Sequence, residues 1–527
     1  MANLQRIRIA SLGIVIIFCL GVVIPSPDAS LDFAGYNQND DTFQLADDLR
    51  ISSNEDWETQ GWPGNGTAVS PFLIENMSFD SLRIENSDVF FVIQNCQSAR
   101  YGQFRNTENG QVKDSVFNEH FEIGNCSKIA ISNITTRDLR VYECDKVVLS
   151  NIAARDEIGY NEFAEYVSID SSVNITIDRC YFEGFPWGVT LTGSFNCTVQ
   201  NSTLTDCGYW PAGGAPGQGG GILISSCVGC RIWNNSFIDN YGINFRVYNS
   251  EFIEVIENYS DKNGHHFEGC TDCIIINNPL IQGLTIRNSH NFAISGNELG
   301  IRGILIFGDP EYFIHTITNN TLEGKPLLYV LGELDSNYTN GEYGQIIVVN
   351  SIRVTLKKNK VDIAQQSISI MYSESCVVSG ARCTRLYTFE SSRTVIQHSE
   401  IIGSGILCYY SPETIINNNT IKDGSYGIGL SFNSDNSTIT NNTVVNINNH
   451  GIAILSPGCR VENNTITTCG RQMGACYETT TIAIVDFAAI RIYSDDCRIV
   501  NNFVINNFEY GIWISGKRNT IYRNTIA

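Results

Sequence analysis

Basic residues are scarce in this chain: 34 Lys and Arg stand against 55 Asp and Glu, a formal charge of −21. A surface of that sign excludes a role that depends on gripping nucleic-acid phosphates or anionic lipid. Methionine (4) and histidine (7) are too few and too scattered to cluster as soft-metal ligands. Past the first thirty residues no apolar run is long enough to cross a bilayer. What is abundant points the other way. There are 54 Asn and 45 Gly, with 43% hydrophobic residues. Such a chain can bury a large core, which excludes disorder. Asn favours turns and left-handed bends over helix interiors, which excludes a long helical architecture.

The N-terminus carries Arg6 and Arg8, an apolar run from about Ile9 to Ile24, and then Pro25-Ser26-Pro27-Asp28-Ala29. Residues 1–30 therefore read as a signal peptide or a retained N-terminal anchor, and the protein as secreted or held at the cell surface. Export gives meaning to fifteen Asn-x-Ser/Thr sequons, among them Asn65, Asn174, Asn258, Asn337 and Asn436, as candidate glycan acceptors.

Length alone would suggest about three domains, but the sequence repeats itself. Short Gly-led apolar words recur: Gly188-Val-Thr-Leu, Gly221-Ile-Leu-Ile, Gly283-Leu-Thr-Ile, Gly303-Ile-Leu-Ile, Gly405-Ile-Leu-Cys, Gly427-Ile-Gly-Leu, Gly451-Ile-Ala-Ile and Gly511-Ile-Trp-Ile. Each is followed by a second word such as Asn125-Cys-Ser-Lys-Ile-Ala-Ile-Ser-Asn133 or Asn436-Ser-Thr-Ile-Thr-Asn-Asn442. A unit of about 22 residues with several short strands and no helix cannot close its own core, so it must stack on copies of itself. The fold predicted is all-β: a single-stranded right-handed parallel β-helix over residues 72–527, roughly 20 coils and ~95 Å long at ~4.8 Å per coil. Residues 31–71 form an N-terminal capping segment, and insertions interrupt the period near 208–220 and 470–488. Asn133, Asn151, Asn201, Asn234, Asn277, Asn418, Asn441, Asn463 and Asn501 share one repeat position and are expected to stack. The last residues are still repeat material, which predicts a capping partner or a missing C-terminal segment.

The segment Gly324-Lys-Pro-Leu-Leu-Tyr-Val-Leu through Gly344-Gln-Ile-Ile-Val-Val-Asn350, with the opening Gly61-Trp-Pro-Gly-Asn-Gly-Thr67 and Pro71-Phe-Leu-Ile74, resembles the NosD-type, CASH-domain group of exported β-helix proteins. The resemblance spans nearly the whole mature chain. It implies the pectate-lyase-like fold rather than a reaction. Copper delivery, implied by NosD relatives, finds no His or Met cluster here.

Without Cys19, 17 cysteines remain. Cys197, Cys230, Cys273, Cys376, Cys459 and Cys497 share a column that elsewhere holds Thr394, Thr414 or Ser437, the mark of a cramped buried turn. Adjacent coils bring Cα atoms within disulfide range, and Cys126 with Cys144 and Cys469 with Cys476 are the candidate pairs. The Cys227/Cys230 and Cys270/Cys273 pairs fall about two coils apart, too far for one tetrahedral site, so no metal is expected. His265 and His266, adjacent on a strand, must face opposite ways, one packed and one solvated.

No catalytic set is recognisable. Asp495-Asp496 and Gly264-His265-His266 depart from the words of polygalacturonase-type hydrolases, and whether the protein is an enzyme stays open, with the balance toward not. Arg155 and Arg179 are the bases to test for a lyase, the one reading that would bring in calcium as a cofactor. The stronger candidate is a flank of rings: Tyr160, Phe163, Phe185, Trp187, Tyr209 and Trp210, interspersed with Glu183 and Asp206, whose flat faces and acceptors suit a sugar. The leading expectation is thus an exported β-helix that binds polysaccharide or surface glycan. A polysaccharide lyase and a structural rod or adhesin are the alternatives.

Overall fold

A computed structural model describes residues 44–155, 167–208, 219–279, 282–470, 488–508 and 510–527, and the part from Gln44 to Ala527 forms one compact unit. Residues 1–43 and the core of both insertions lie outside the described residues. The described chain is a parallel β-solenoid of about 19 turns with almost no helix. Strands Trp187–Thr192, Thr198–Gln200 and Thr203–Thr205 pair in register with Gly220–Ser225, Arg231–Trp233 and Ser236–Ile238 of the next coil. Because the side-chain period of a strand is two, one set of residues points inward in every coil. Val189, Ile222, Phe245, His265, Leu284 and Ile304 lie in one inward column. A fully buried Ile such as Ile222 contributes about 2 kcal/mol, and the column repeats that term coil after coil.

The turns explain the wealth of Asn. Asn234, Asn277, Asn418, Asn441, Asn463 and Asn501 all have φ between 54° and 59°, a left-handed conformation Asn tolerates better than most residues. They lie at the rim, where Asn234 Nδ2 donates to Asn201 Oδ1 (2.8 Å) and Asn151 Nδ2 to Asn133 Oδ1 (3.0 Å). The continuous buried ladder is one residue further on. Backbone N–H groups of Asn235, Asn258, Asn278 and Asn297 each donate to the side-chain oxygen of the next rung, ending at Asn320, every step at 3.0 Å. A second ladder runs through Asn419, Asn442, Asn464, Asn502 and Asn524. The expected column thus stacks in part, at the rim, while the continuous buried ladder runs one position further inward. The left-handed residue turns the chain, and the one after it carries its amide into the core. Asn258 belongs to that ladder and is 1% exposed, so this sequon cannot carry a glycan in the folded chain.

Both ends of the first solenoid segment are marked. At the start, Trp57 of the short helix Asn54–Thr59 is fully buried and stacks on Phe72 and Phe91, each at 5.3 Å. At the other end the rod is interrupted. Strand Thr321–Leu322 pairs antiparallel with Lys325–Leu331 across Glu323 and Gly324, whose φ values of 46° and 76° suit a primed hairpin turn. A second solenoid segment starts there with its own core, Val330, Ile346, Val348 and onward. The outward faces of its first coils, Ile347, Val349 and Met371, pack into the core cluster of the first segment. Gln345 closes the free strand edge. Its Oε1 accepts from Ile304 N–H (2.9 Å) and its Nε2 donates to Ile304 C=O (3.0 Å), as a further strand would. The uniform rod expected from the repeat is in fact two segments meeting at a corner.

The sixteen described cysteines are buried free thiols. Cys126 and Cys144 do stack in adjacent coils, but as thiols rather than a disulfide. Cys126 N–H donates to Cys144 Sγ (3.4 Å), and the two thiols donate to Gly124 and Tyr142 carbonyls, both at 3.1 Å. Cys469 is likewise a thiol, donating to Thr467 O, and Cys476 lies outside the described residues.

His265 is 2% exposed, stacked on Phe245, with neither ring nitrogen hydrogen-bonded; His266 faces outward beside Glu268 at 3.4 Å. Burial lowers the His265 pKa from 6.5 to about 4. The unfolded chain therefore binds the extra proton first, so stability is full above pH 6.5 and falls as pH drops toward 4. His265→Leu should raise the urea midpoint at pH 7 and flatten the decline between pH 6.5 and 4 by about 3 kcal/mol. An unchanged pH profile of unfolding in that variant would refute the assignment.

Candidate functional site

The predicted flank is only partly described. Arg155, Glu183 and Thr205 are aligned in successive coils, so the segments that carry the flank share one edge. Arg155 is paired with Glu183 at 3.0 Å and Arg179 with Asp178 at 2.8 Å, both as surface ion pairs. Glu183 also accepts from Tyr181 at 3.0 Å; burial, then that bond, pushes the Tyr181 hydroxyl pKa up to about 12. Asp206 is exposed at a left-handed turn, and Trp187 is half-buried opposite Gly220. Phe185 is a correction: it is fully buried, a core ring that no ligand can reach. Tyr160, Phe163, Tyr209 and Trp210 lie outside the described residues.

A concave site lies instead at the corner between the two solenoid segments. The cavity there has a volume of about 470 Å³, in the size range of ligand sites. One wall comes from the last coil of the first segment, Ile304–Phe307 and Phe313. The opposite wall is the outer face of the second segment, with Met371, Tyr372, Arg385, Tyr387, Phe389 and Tyr409. Register builds this wall. Leu386 and Thr388 point into the core, so Arg385, Tyr387 and Phe389 between them point out. Tyr387 is aligned with Ser369 before it and Leu407 after it, Phe389 with Met371 and Tyr409.

The rings run in an unbroken chain. Phe313 meets Tyr372 at 5.3 Å, Tyr372 meets Phe389 at 5.5 Å, and Phe389 meets Tyr387 at 6.4 Å. Tyr387 continues to Tyr409 at 5.7 Å and Tyr409 to Phe432 at 6.2 Å; Tyr410 stacks on Phe432 at 5.7 Å, interplanar angle 14°. The chain begins buried at Phe313 and ends at Phe432, 54% exposed, so it leads from the cavity to the open surface. Hydrogen bonds lock its inner end: Tyr372 Oη donates to Gly308 O (2.6 Å) and Tyr329 Oη to Phe313 O (2.5 Å). Burial raises the Tyr372 pKa to about 12 and pushes Tyr387 up as well, so both hydroxyls are neutral donors at ordinary pH. A rigid aromatic ribbon with a few fixed polar groups can stack on the apolar face of a ring and bond its hydroxyls. None of these rings figures in the predicted site. Their signal was a ring just after a strand word in successive coils: Met371-Tyr372, Thr388-Phe389, Cys408-Tyr409-Tyr410 and Ser431-Phe432.

Among the described residues no three His, Cys, Asp or Glu side chains converge as a cation site, and no helix is long and apolar enough to cross a membrane.

Residues 267–466 and 386–527 match the family described as the right handed beta helix region, and the solenoid is a right-handed parallel β-helix. An alginate lyase of family PL6, AlyGC, aligns at 10% identity over 91% of this chain and 100% of its own, with a TM-score of 0.25. PfbA, a surface adhesin of Streptococcus pneumoniae, aligns at 12% identity over 71% and 92%, TM-score 0.23. A mutant tailspike protein of E. coli bacteriophage HK620, in complex with a pentasaccharide, aligns at 8% identity over 83% and 71%, TM-score 0.22. No curated protein matches.

Proposed function

We propose that this right-handed β-helix is an exported or cell-surface protein that binds polysaccharide, and that the binding site is the ribbon of rings at the corner between its two segments. The observation that carries this reading is the continuous ring chain from Phe313 through Tyr387 and Tyr409 to Phe432, walled by a cavity where the repeat is broken. A solenoid repeats for stability, and a departure from the repeat that creates a hollow lined with stacked rings suits recognition. Export rests on the N-terminal signal pattern. Kinship with the NosD-type group rests on Gly324 to Asn350, the stretch that follows the hairpin turn and supplies Gln345 to the corner.

Affinity electrophoresis of the purified chain through gels containing single polysaccharides tests the function. Retardation by at least one of a panel of cell-wall and extracellular polysaccharides is expected, with no release of reducing ends or unsaturated products from the same polymer. Mobility unchanged in every gel would leave the structural rod, and product release would restore the lyase.

A further inference from the structure

We infer that the sugar unit entering the corner cavity carries an anionic group, a carboxylate or a sulfate, and that Arg385 receives it. This rests on the polysaccharide-binding reading and adds the charge of the ligand to it. Arg385 lines the cavity, and its Nε is buried without a hydrogen-bond partner. It makes no ion pair among the described residues, in a chain where carboxylates outnumber basic side chains 55 to 34. An unmet buried donor costs about 1–3 kcal/mol, more for a charged group, and a bound anion would remove that cost.

The local backbone serves this placement. The ladder register shifts between Cys383 and Arg385, an irregularity of the kind that re-aims a side chain. Ser367 Oγ fixes the strand from below, accepting from the N–H groups of Thr384 (3.1 Å) and Arg385 (3.4 Å). Directly opposite Arg385 in the next coil is Gly405, at φ 76°, where a Cβ would come within 2.2 Å of Gly427 O. Asp309, Glu311 and Glu390 act electrostatically on the Tyr372 hydroxyl, which lines the same cavity. Tyr387 and Phe389, next to it on the strand, lower the local dielectric, which strengthens a charge-assisted bond; the planar fork of Arg matches either oxyanion bidentately.

The test is calorimetric titration of the full chain with size-matched neutral, uronate-containing and sulfated oligosaccharides, repeated with Arg385→Gln and Arg385→Lys. The wild type should prefer an acidic oligosaccharide, and Arg385→Gln should reduce that affinity by about 10- to 100-fold. That loss should exceed any loss for the neutral sugar by at least tenfold, with Arg385→Lys recovering part of it and thermal midpoints unchanged. The uronate and sulfate arms tell which anion is taken. An acidic preference that survives Arg385→Gln, or no acidic preference in the wild type, overturns the inference. If a neutral sugar still binds and requires Tyr387 and Tyr409, the binding reading stands without it; if no sugar binds, both fall.

Discussion

Tyr387→Ala combined with Tyr409→Ala should abolish measurable polysaccharide binding while leaving the fold intact. The two rings point outward from adjacent strands, diagonal to each other in the register, with centroids 5.7 Å apart, and both line the cavity. Rings at the centre of a binding site typically cost about 2 kcal/mol each when truncated. Two together give about 4 kcal/mol, close to a 1,000-fold loss. Both side chains are half-buried on the outer face rather than part of the inward columns, so unfolding midpoints should fall only modestly. Phe432→Ala, at the exposed end of the chain of rings, should weaken binding less, by about tenfold or under. Wild-type affinity in the double variant would remove the corner as the site.

The largest stability effect should come from the second Asn ladder. Asn442 Oδ1 accepts from Asn419 N–H (2.9 Å) and Asn419 Nδ2 (3.0 Å), and its Nδ2 donates to Ile416 O (2.9 Å) and Asn464 Oδ1 (3.0 Å). Asn442→Ala strands these buried partners at once, and at 1–3 kcal/mol for each orphaned group the loss should be about 4 kcal/mol. The neighbouring Asn441 has φ 56° and only a rim bond to Asn417. Asn441→Gly keeps that conformation available and should cost under about 1 kcal/mol. Urea unfolding of the two variants separates the roles, and equal losses would mean that the ladder does not depend on the inner position.

That pair of residues also shows how far the sequence can be read. The repeat, the strand words and the turn chemistry are all visible in it, because stacking demands the same residue types in every coil. The rim column and the buried ladder are hard to tell apart in the sequence because the doublets Asn277-Asn278, Asn441-Asn442 and Asn463-Asn464 offer two equivalent columns. The discriminating positions are Glu257-Asn258, Gly296-Asn297 and Arg523-Asn524, where the first residue varies and the second stays Asn. Only the inner amide has four partners to satisfy; the outer place asks merely for a positive φ, which Glu257 at 54° and Gly296 at 69° also supply. The corner was not legible for a different reason. Lys325–Leu331 and Gln345–Val349 read as ordinary strand words, and what redirects the chain is a two-residue hairpin at Glu323-Gly324 plus one side chain, Gln345, standing in for a strand. A site assembled across that corner draws on residues more than a hundred positions apart, from Ile304 to Tyr426. The flank from Arg155 to Asp206 is contiguous in sequence and so was easier to see. Phe185 was misplaced there because a ring beside Pro and Gly looks like a loop residue, whereas the turn carries it into the core.

Hydroxyl-radical footprinting of the full chain, with and without the polysaccharide that most retards it in gels, tests the central claim most directly. Protection should concentrate on Tyr387, Phe389, Tyr409, Tyr410 and Phe432, with Trp187 unchanged. Protection of Trp187 with unaltered labelling of Tyr387 and Tyr409 would place binding on the flank of the first segment and contradict the account.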